Sequence, residues 1–205
     1  MNEVDAESSP ISGDAFVCAA TMPRSTKRPG PARITARVAI VGVVIVALGL
    51  TLVTARLFVW PRTDKPTRAD AIVVFIGRGD AFDTGIALAR RGLAPALAVS
   101  VDSPIPRWCS SFTIPNVTLH CFHPQPDTTQ GESRAAARLA ATYHWQKVIL
   151  VAIRPQAFRA RLRLGRCYGG RIELVASPIR LRQYPFRVLY EWGATLKALT
   201  VQRSC

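Results

Sequence analysis

The feature that most constrains this chain is an uncharged, apolar segment over residues 38–55, which directly follows a basic stretch. These eighteen residues would span about 27 Å as a helix, close to the thickness of the hydrocarbon core of a bilayer. A water-soluble helix is rarely apolar on all sides over that length. Residues 57–60 extend the segment and end in Trp60, an aromatic residue typical of the membrane interface. We therefore predict a transmembrane helix over residues 38–60 that acts as a signal anchor.

The distribution of charge around this segment predicts its orientation. The fifteen residues before it carry five basic groups and no acid, whereas the basic groups that follow are interleaved with Asp64 and Asp70. Because Lys and Arg stay on the cytoplasmic side, we predict a plasma-membrane protein with a cytoplasmic N-terminus and residues 61–205 outside the cytoplasm. The alternative is a cleaved signal peptide, since Val53 and Ala55 fit the small-residue pattern before a cleavage point. Both alternatives export the rest of the chain.

The chain divides into four predicted parts. Residues 1–37 are rich in Ser, Pro, Gly and Arg and lack apolar periodicity, which predicts a disordered, basic cytoplasmic tail. The transmembrane helix, 38–60, and a linker, 61–68, follow. Residues 69–205 have the length of one typical domain and are predicted to form a single α/β domain.

The cysteines are distributed in a way that fits this topology. Cys18 falls on the cytoplasmic side, and the exported side carries Cys109, Cys121, Cys167 and Cys205. An even exported set favours disulfides, and we prefer the pair Cys109–Cys121 because Pro115 and Asn116 between them mark a turn. The four exported cysteines allow three disulfide connectivities, which stay open. The alternative that all four are free thiols stays open as well. No Cys/His pair has zinc-finger spacing, so no metal site is predicted.

The chain carries a net charge of +14 at pH 7. Such a charge ordinarily suggests nucleic acid, because Lys and Arg neutralise its phosphates. The predicted topology argues against nucleic acid, since an exported domain meets anionic lipids, polyprenyl phosphates and acidic wall polymers instead. The expected partners are the lipid bilayer and an anionic, lipid-linked envelope precursor. Alternatively, most of the arginines form a solvated surface.

Apolar runs alternate with helical patterns along the exported part. Residues 71–76 form a β-branched and aromatic run typical of a strand buried on both faces of a parallel sheet. The predicted strands are 71–76, 95–100, 117–122, 147–153 and 171–176, and the predicted helices are 82–91, 130–143, 155–168 and 186–201. This alternation predicts a Rossmann-like three-layer α/β sandwich with a mainly parallel sheet.

The last predicted helix is apolar along one side. That side carries Phe186, Leu189, Gly193, Leu196 and Thr200. We expect this face to pack on the domain and do not interpret the helix as a second membrane span.

The loops that follow the strands form the candidate site, because ligands of such sheets bind outside the carboxyl ends of the strands. These loops are residues 77–80, 100–102, 127–132 and 153–159. In the first loop, the predicted ligand-binding residues are Gly77, Arg78, Gly79 and Asp80. Glycine lets backbone amides approach an anion, and the following helix N-terminus adds partial positive charge. The alternative is a tight turn that requires glycine.

Two residues of the third loop, Thr129 and Glu132, have the spacing of a capping box, in which both side chains satisfy free amides at the start of the following helix. The functional alternative is that Glu132 faces the strand ends as a catalytic base or as a ligand to a substrate hydroxyl, with Thr128 beside it. Glu132 cannot easily fill both roles. We take Glu132 as the candidate catalytic residue and Thr128 and Thr129 as candidate ligand-binding residues.

Arginines cluster on the third predicted helix of the domain. Arg159, Arg163 and Arg166 lie at i, i+4 and i+7 and share one stripe. Only the first turn of that helix reaches the strand ends, so Arg154, Gln156 and Arg159 are the predicted contacts for a phosphate or carboxylate. A guanidinium group matches such anions with two parallel hydrogen bonds. The other arginines are expected to coat the surface.

Five motifs carry a resemblance to a known family. They are ADAIVVFIGRGD at 69–80, ALARRGLAPALAVS at 87–100, PDTTQGESRAAARLA at 126–140, VILVAIRPQAFRARLRLGRCY at 148–168 and YEWGATLKAL at 190–199. On these motifs, residues 68–200 resemble the YdcF-like envelope proteins, which include SanA and ElyC and form a family of largely unknown function.

The resemblance implies an envelope role, because members of that family are commonly a single membrane helix followed by an α/β domain outside the membrane. Gly77 and Gly79 match the glycine-rich first loop of the family. Thr128 and Glu132 match its helix start, and Arg159 matches its Arg after the fourth strand. These positions are the ones that the resemblance implies for ligand binding.

The chain also departs from the family pattern. Gln156 stands where the family usually has His, Ala81 stands where it has Arg, and its Ser-Gly-Gly after the second strand is reduced to residues 100–102. Glutamine cannot exchange a proton near neutral pH, so the best acid/base candidate of the family is missing. The departure favours binding over catalysis.

Three functional hypotheses follow. In the first, a membrane-anchored domain binds, and as an enzyme processes, a phosphate-bearing, polyprenyl-linked envelope precursor, with Glu132 as base and Arg159 as anion contact. In the second, a non-catalytic envelope factor holds a partner protein or an anionic lipid. In the third, the domain binds a nucleotide or methyl-donor cofactor, although a complete glycine fingerprint and an acidic ribose partner are missing. The sequence identifies no cofactor.

Overall fold

The N-terminal helix is the first element of a computed structural model that describes residues 31–75 and 80–205. Helix α1 spans Pro31–Thr54 and continues as a π-helical turn, Ala55–Val59. Between Thr35 and Val59, its most apolar stretch of 18 residues has a mean hydropathy of 2.7 and is not buried. This helix is long and apolar enough to cross a membrane, a property that it shares with signal sequences.

Helix α1 begins before the predicted transmembrane segment. It starts at Pro31, so residues 31–37, which the sequence predicts as part of the tail, are helical. Proline suits the first helical turn, because its missing N–H has no intrahelical partner there. Residues 1–30, which hold Cys18 and the rest of the predicted tail, lie outside the described residues. The chain divides into two units, Met1–Val43 and Val44–Cys205, and the second contains everything that follows.

Five parallel strands form the sheet, as predicted. They are β1 (Ala71–Val74), β2 (Ala96–Ser100), β3 (Thr118–Phe122), β4 (Lys147–Ile153) and β5 (Arg171–Ser177). Their order is β3-β2-β1-β4-β5, and every neighbouring pair is parallel. This order matches the first five strands of the Rossmann fold, which confirms the predicted fold class.

Helices cover both faces of this sheet. They are α2 (Ala81–Arg90), α3 (Trp108–Ser111), α4 (Thr129–Thr142), α5 (Arg154–Cys167) and α6 (Tyr184–Thr200), preceded by a 3-10 turn at Leu181–Gln183. Alternate residues of each strand point to opposite faces, so β1 places Ile72 and Val74 toward α2. Ala71 and Val73 face α4 and α5. Helix α6 and the π-helical turn pack on α5.

The linker between α1 and the sheet is fixed along the edge strand β5. The backbone N–H of Asp64 donates to the carbonyl of Leu174 at 2.9 Å, and its carboxylate accepts the N–H of Leu174 at 2.9 Å. The same carboxylate pairs with Arg161 at 2.7 Å, and the N–H of Thr67 donates to Glu173 at 2.8 Å. The end of α1 is therefore tied to the domain by specific bonds.

Two disulfides close irregular parts of the chain. The preferred pair, Cys109–Cys121, is present and joins α3 to β3. The second pair, Cys167–Cys205, joins the end of α5 to the segment that follows α6. The second disulfide and the hydrogen bonds from Arg159 and Arg166 to α6 hold the same two helices together.

Helix α6 packs with a different face from the predicted one. Phe186, Leu189 and Leu196 are 75%, 74% and 52% exposed, and the buried positions of the helix are Glu191, Thr195 and Ala198. The prediction that the apolar face packs on the domain is wrong. The reason is that α6 docks on the arginine stripe of α5, which requires acceptors rather than apolar side chains.

Gly131, in the first turn of α4, provides a test of how closely this helix approaches the backbone of Pro126. A Cβ atom at this position would lie 1.9 Å from the backbone carbonyl oxygen of Pro126. Because a backbone atom cannot rotate away, we expect Gly131→Ala to lower the free energy of unfolding by about 1–3 kcal/mol.

Gly165 in α5 is the matched control. Its Cβ would meet only the Cδ1 atom of Ile172 at 3.9 Å, an ordinary contact. Gly165→Ala is expected to stabilise by about 0.5–1 kcal/mol, because alanine has the higher helix propensity. Chemical denaturation measures both variants, and equal effects would contradict the close approach of α4 to Pro126.

Candidate functional site

A cavity of about 280 Å³ lies at the carboxyl end of β2. The starts of α4 and α5 and one side of α6 complete its wall. Its polar lining consists of Ser100, Asp102, Asp127, Thr128, Thr129, Gln130, Glu132, Gln156, Arg159, Arg163, Arg187, Tyr190, Glu191, Lys197 and Gln202. The cavity occupies the place where parallel α/β sheets bind their ligands.

Glu132 is the most perturbed acid of this lining. Glu132 is 5% exposed. Burial raises the pKa of Glu132 to about 7, and the negative charge of Asp127 adds to the rise. Hydrogen bonds from the Ser100 and Thr129 hydroxyls and the charge of Arg159 act in the opposite direction. At neutral pH the carboxyl is therefore present in both protonation states, as general acid/base catalysis requires.

The start of α4 shows how Glu132 becomes available. Helix α4 begins at Thr129, and the Thr128 hydroxyl caps it by accepting the N–H of Gly131 at 3.2 Å. The predicted capping box that starts at Thr129 is wrong, because α4 begins one residue earlier than predicted and Thr129 is its first helical residue. Thr128 takes the capping role, so Glu132 is free to turn toward Ser100.

Thr129 connects Glu132 to two donors on α5. Its Oγ1 atom accepts hydrogen bonds from Nε2 of Gln156 at 3.0 Å and from Nη1 of Arg159 at 2.6 Å. Since both neighbours donate, the hydroxyl proton of Thr129 is directed to the carboxyl of Glu132. A hydroxyl polarised in this way is a stronger donor, which orients the carboxyl that it contacts.

Arg159 lines the cavity, but its charge is already paired. Its Nε and Nη2 atoms donate to the two carboxylate oxygens of Glu191 at 2.7 and 2.8 Å. Burial lowers the pKa of Arg159, but the hydrogen bonds and the charge of Glu191 outweigh that effect and raise it. The pairing leaves Arg159 less positive charge for a ligand than the sequence suggested and makes it a positioning residue for Thr129.

Three other cations of the lining form no salt bridge with any described residue. Arg163 is 4% exposed, so the prediction that it coats the surface is wrong. Its Nη1 and Nη2 atoms donate to the backbone carbonyl and side-chain oxygens of Gln202 at 2.5 and 2.7 Å. Among residues 31–75 and 80–205, no Asp or Glu lies within 4 Å of Arg163, Arg187 or Lys197.

The remaining predicted site residues lie elsewhere. Arg154 is exposed and lies beside Trp60 and Leu181, outside the cavity lining. Asp80 precedes α2, is exposed and makes no side-chain cap. Gly77, Arg78 and Gly79 lie outside the described residues. The structure therefore brings Thr128, Thr129, Glu132, Gln156 and Arg159 together.

The sequence analysis missed the contribution of α6. Arg187, Tyr190, Glu191 and Lys197 line the cavity from this helix. Their positions, i, i+3, i+4 and i+10, share one helix side, but the apolar stripe beside them hid this pattern. In the described part of the chain, no three His, Cys, Asp or Glu side chains come together as metal ligands.

Comparison with protein-family models, with curated proteins and with solved structures finds no match to this chain. The resemblance to the YdcF-like family therefore stays a prediction that rests on the sequence motifs. The chemistry of the cavity must be interpreted from its own geometry.

The ion pair between Arg159 and Glu191 should be sensitive to the loss of one partner. We expect Glu191→Ala to lower the free energy of unfolding by about 3–5 kcal/mol, because it leaves a buried, unpaired guanidinium. The double variant Arg159→Met/Glu191→Leu should recover most of this loss, since it removes both charges. Urea denaturation measures both. A loss below about 1 kcal/mol in Glu191→Ala would contradict the burial of the pair.

The raised pKa of Glu132 predicts a pH dependence of stability. At pH values between the ordinary pKa of 4.5 and the raised pKa of about 7, the carboxyl of the unfolded chain has released its proton. The carboxyl of the folded protein still keeps it. Stability contributed by this group is therefore complete below pH 4.5 and is lost as the pH rises to about 7, by up to about 3 kcal/mol.

Glu132→Gln removes this titration and keeps the shape of the side chain. We expect the variant to be more stable than the parent at pH 8 and to differ little at pH 4.5, as measured by urea denaturation at both pH values. Equal differences at the two pH values would show that folding does not raise the pKa of this carboxyl.

Proposed function

We propose that this chain is a membrane-anchored envelope protein whose cavity binds, and processes, a phosphate-bearing, lipid-linked precursor. In this proposal α1 spans the plasma membrane with its N-terminus in the cytoplasm, and the α/β domain lies outside. The observation that carries the proposal is the composition of the cavity, where a carboxyl with a pKa of about 7 shares the lining with Arg163, Arg187 and Lys197, which form no salt bridge within the described part of the chain. The YdcF-like motifs support the envelope role.

The cations favour a phosphate ligand. Burial, followed by repulsion from Arg166, Arg159 and Arg134, lowers the pKa of Arg163. An anion in the cavity would offset this repulsion, and the Arg163 guanidinium, whose Nη1 and Nη2 atoms donate to Gln202, attracts it through its charge. Arg187 and the more exposed Lys197 supply further charge from α6.

Glu132 supplies the proton-transfer group for processing. In the cleavage or transfer of a phosphate ester, its ionised form accepts the proton of the attacking water or hydroxyl as that oxygen bonds to phosphorus. The bond from phosphorus to the ester oxygen breaks, and Glu132 passes the proton to the leaving oxygen. Its hydrogen bonds from Ser100 and Thr129 hold the carboxyl in one orientation. A base with a pKa near the working pH is present in sufficient amount and still strong enough to take the proton.

The two disulfides support an exported domain. Cys109–Cys121 and Cys167–Cys205 are both formed, and disulfides persist in oxidising compartments. The cavity lies in the unit that also contains the end of α1. An exported, anchored domain is the arrangement that the charge distribution around α1 predicts.

A non-catalytic binding factor is the second candidate. Gln156, at the position where the resemblance implies His, uses its amide to donate to Thr129. Glutamine does not titrate, so Glu132 has no imidazole beside it to supply or remove a second proton. In this case the same cavity holds the phosphate group and leaves it unchanged.

Binding and turnover by the full-length protein in lipid nanodiscs separate these candidates. The ligand is a polyprenyl phosphate, and the control ligand is the polyprenol of the same length. We expect Arg163→Met to weaken phosphate-dependent binding about tenfold or more, because it removes from the cavity a positive charge that forms no salt bridge with the residues that the structure describes. The control Arg138→Met changes an exposed arginine of α4 outside the lining and should leave binding unchanged.

Glu132→Gln tests the catalytic role. We expect it to keep binding and to lose about 100-fold or more in turnover. Phosphate-dependent binding without turnover by the parent protein would support the binding factor instead. Equal binding of polyprenyl phosphate and polyprenol would contradict both candidates.

A further inference from the structure

The outer face of α6 exposes large apolar side chains. We call Phe186, Leu189 and Leu196 the outer stripe; they are 75%, 74% and 52% exposed. Leu181 before the helix and Val201 after it are exposed as well, at 86% and 78%. Soluble domains rarely expose contiguous apolar surface of this kind, so the stripe needs a partner.

The position of α6 beside the anchor indicates which partner covers the stripe. The indole Nε1 of Trp192 on α6 donates to Oγ1 of Thr54 in α1 at 3.1 Å. The ring of Trp192 also contacts that of Phe58 edge-on, with the centroids 5.4 Å apart. Thr54 precedes the end of the apolar segment at Val59 by five residues, or about 8 Å of helix. Helix α6 therefore lies alongside the last turns of the segment that would enter the bilayer.

Polar groups near this junction suit the level of lipid head groups. The Nη1 atom of Arg56 donates to the carbonyl oxygen of Trp60 at 3.0 Å, so its charged end points toward the end of the apolar segment. Trp60 and Tyr184 line a mostly apolar surface groove next to Leu181. Trp and Tyr are the residues that concentrate at membrane interfaces.

The charge around α6 matches an anionic lipid surface. Residues 178–205 contain five basic side chains, Arg180, Arg182, Arg187, Lys197 and Arg203. The one acid of this stretch is Glu191, which is buried and paired with Arg159. Each basic group near an anionic leaflet contributes about 1 kcal/mol of attraction. An apolar stripe flanked by basic groups is the pattern of a helix that lies in the membrane interface.

We infer that α6 is an interfacial helix whose outer stripe is inserted into the head-group and acyl boundary of the bilayer that α1 spans. The inference rests on the membrane anchoring in the proposed function. Its consequence concerns the substrate, because Tyr190 and Lys197 border both the exposed face of α6 and the cavity. The cavity mouth then lies at head-group level, and a lipid-linked phosphate enters it while its apolar chain stays in the membrane.

Spin labels on the full-length protein in nanodiscs that contain anionic phospholipid test this placement. The labels are introduced by Leu189→Cys and Leu196→Cys in a Cys18→Ser background, with both disulfides verified by mass spectrometry. Leu48→Cys on α1 is the control for lipid. Arg90→Cys, exposed at the end of α2 on the opposite face of the sheet, is the control for water. Collision with oxygen reports lipid, and collision with a water-soluble nickel chelate reports water.

We expect the labels at 189 and 196 to collide more with oxygen than with the chelate, as at 48, and the label at 90 to show the reverse. If 48 reports lipid while 189 and 196 report water, α6 is not interfacial and the anchoring stands. If 48 reports water, the anchoring fails, and the inference fails with it. Low accessibility to both reagents, with spin–spin broadening at 189 or 196, would show that a second copy covers the stripe and would overturn the inference.

Discussion

The buried ion pair between Arg159 and Glu191 is the contact on which the arrangement of the cavity depends. Both carboxylate oxygens of Glu191 accept from one guanidinium, so the pair fixes the rotation of α6 about its axis as well as its distance from α5. Desolvation offsets much of the Coulombic attraction of such a pair, so its effect is specificity more than stability. One rotation of α6 satisfies the pair, and that rotation turns the outer stripe away from the domain.

The same guanidinium also links α6 to the acid/base chemistry of the cavity. Its Nη1 atom donates to Thr129, and Thr129 in turn donates to Glu132. Because Glu191 balances the charge of Arg159, that charge lowers the pKa of Glu132 less than an unpaired arginine would. Burial then dominates and brings the pKa of Glu132 to about 7. The positive charge that remains for a ligand comes from Arg163, Arg187 and Lys197.

The sequence predicts the strands well, because a strand buried on both faces must be a continuous apolar run. The predicted strand 147–153 coincides with β4. Prediction from the sequence fails where polar contacts decide how a helix packs. Helix α6 has one apolar and one polar face, and the usual rule buries the apolar one. The arginine stripe of α5 reverses this choice. Glu191 is the only acid after Glu173, and that scarcity was the available signal for the pairing.

The linker limits how the domain can move relative to its anchor. Asp64 and Thr67 are bonded to Leu174 and Glu173 of β5, and Trp192 is bonded to Thr54. These contacts hold the end of α1 to the domain at two separate places, on the sheet edge and on α6. On the proposed topology, the domain therefore cannot rotate freely above the bilayer, and the side of α6 that borders the cavity keeps one orientation to the membrane. A ligand that is itself confined to the membrane is the one that gains most from such a fixed orientation, because both partners meet with most of their rotational freedom already lost.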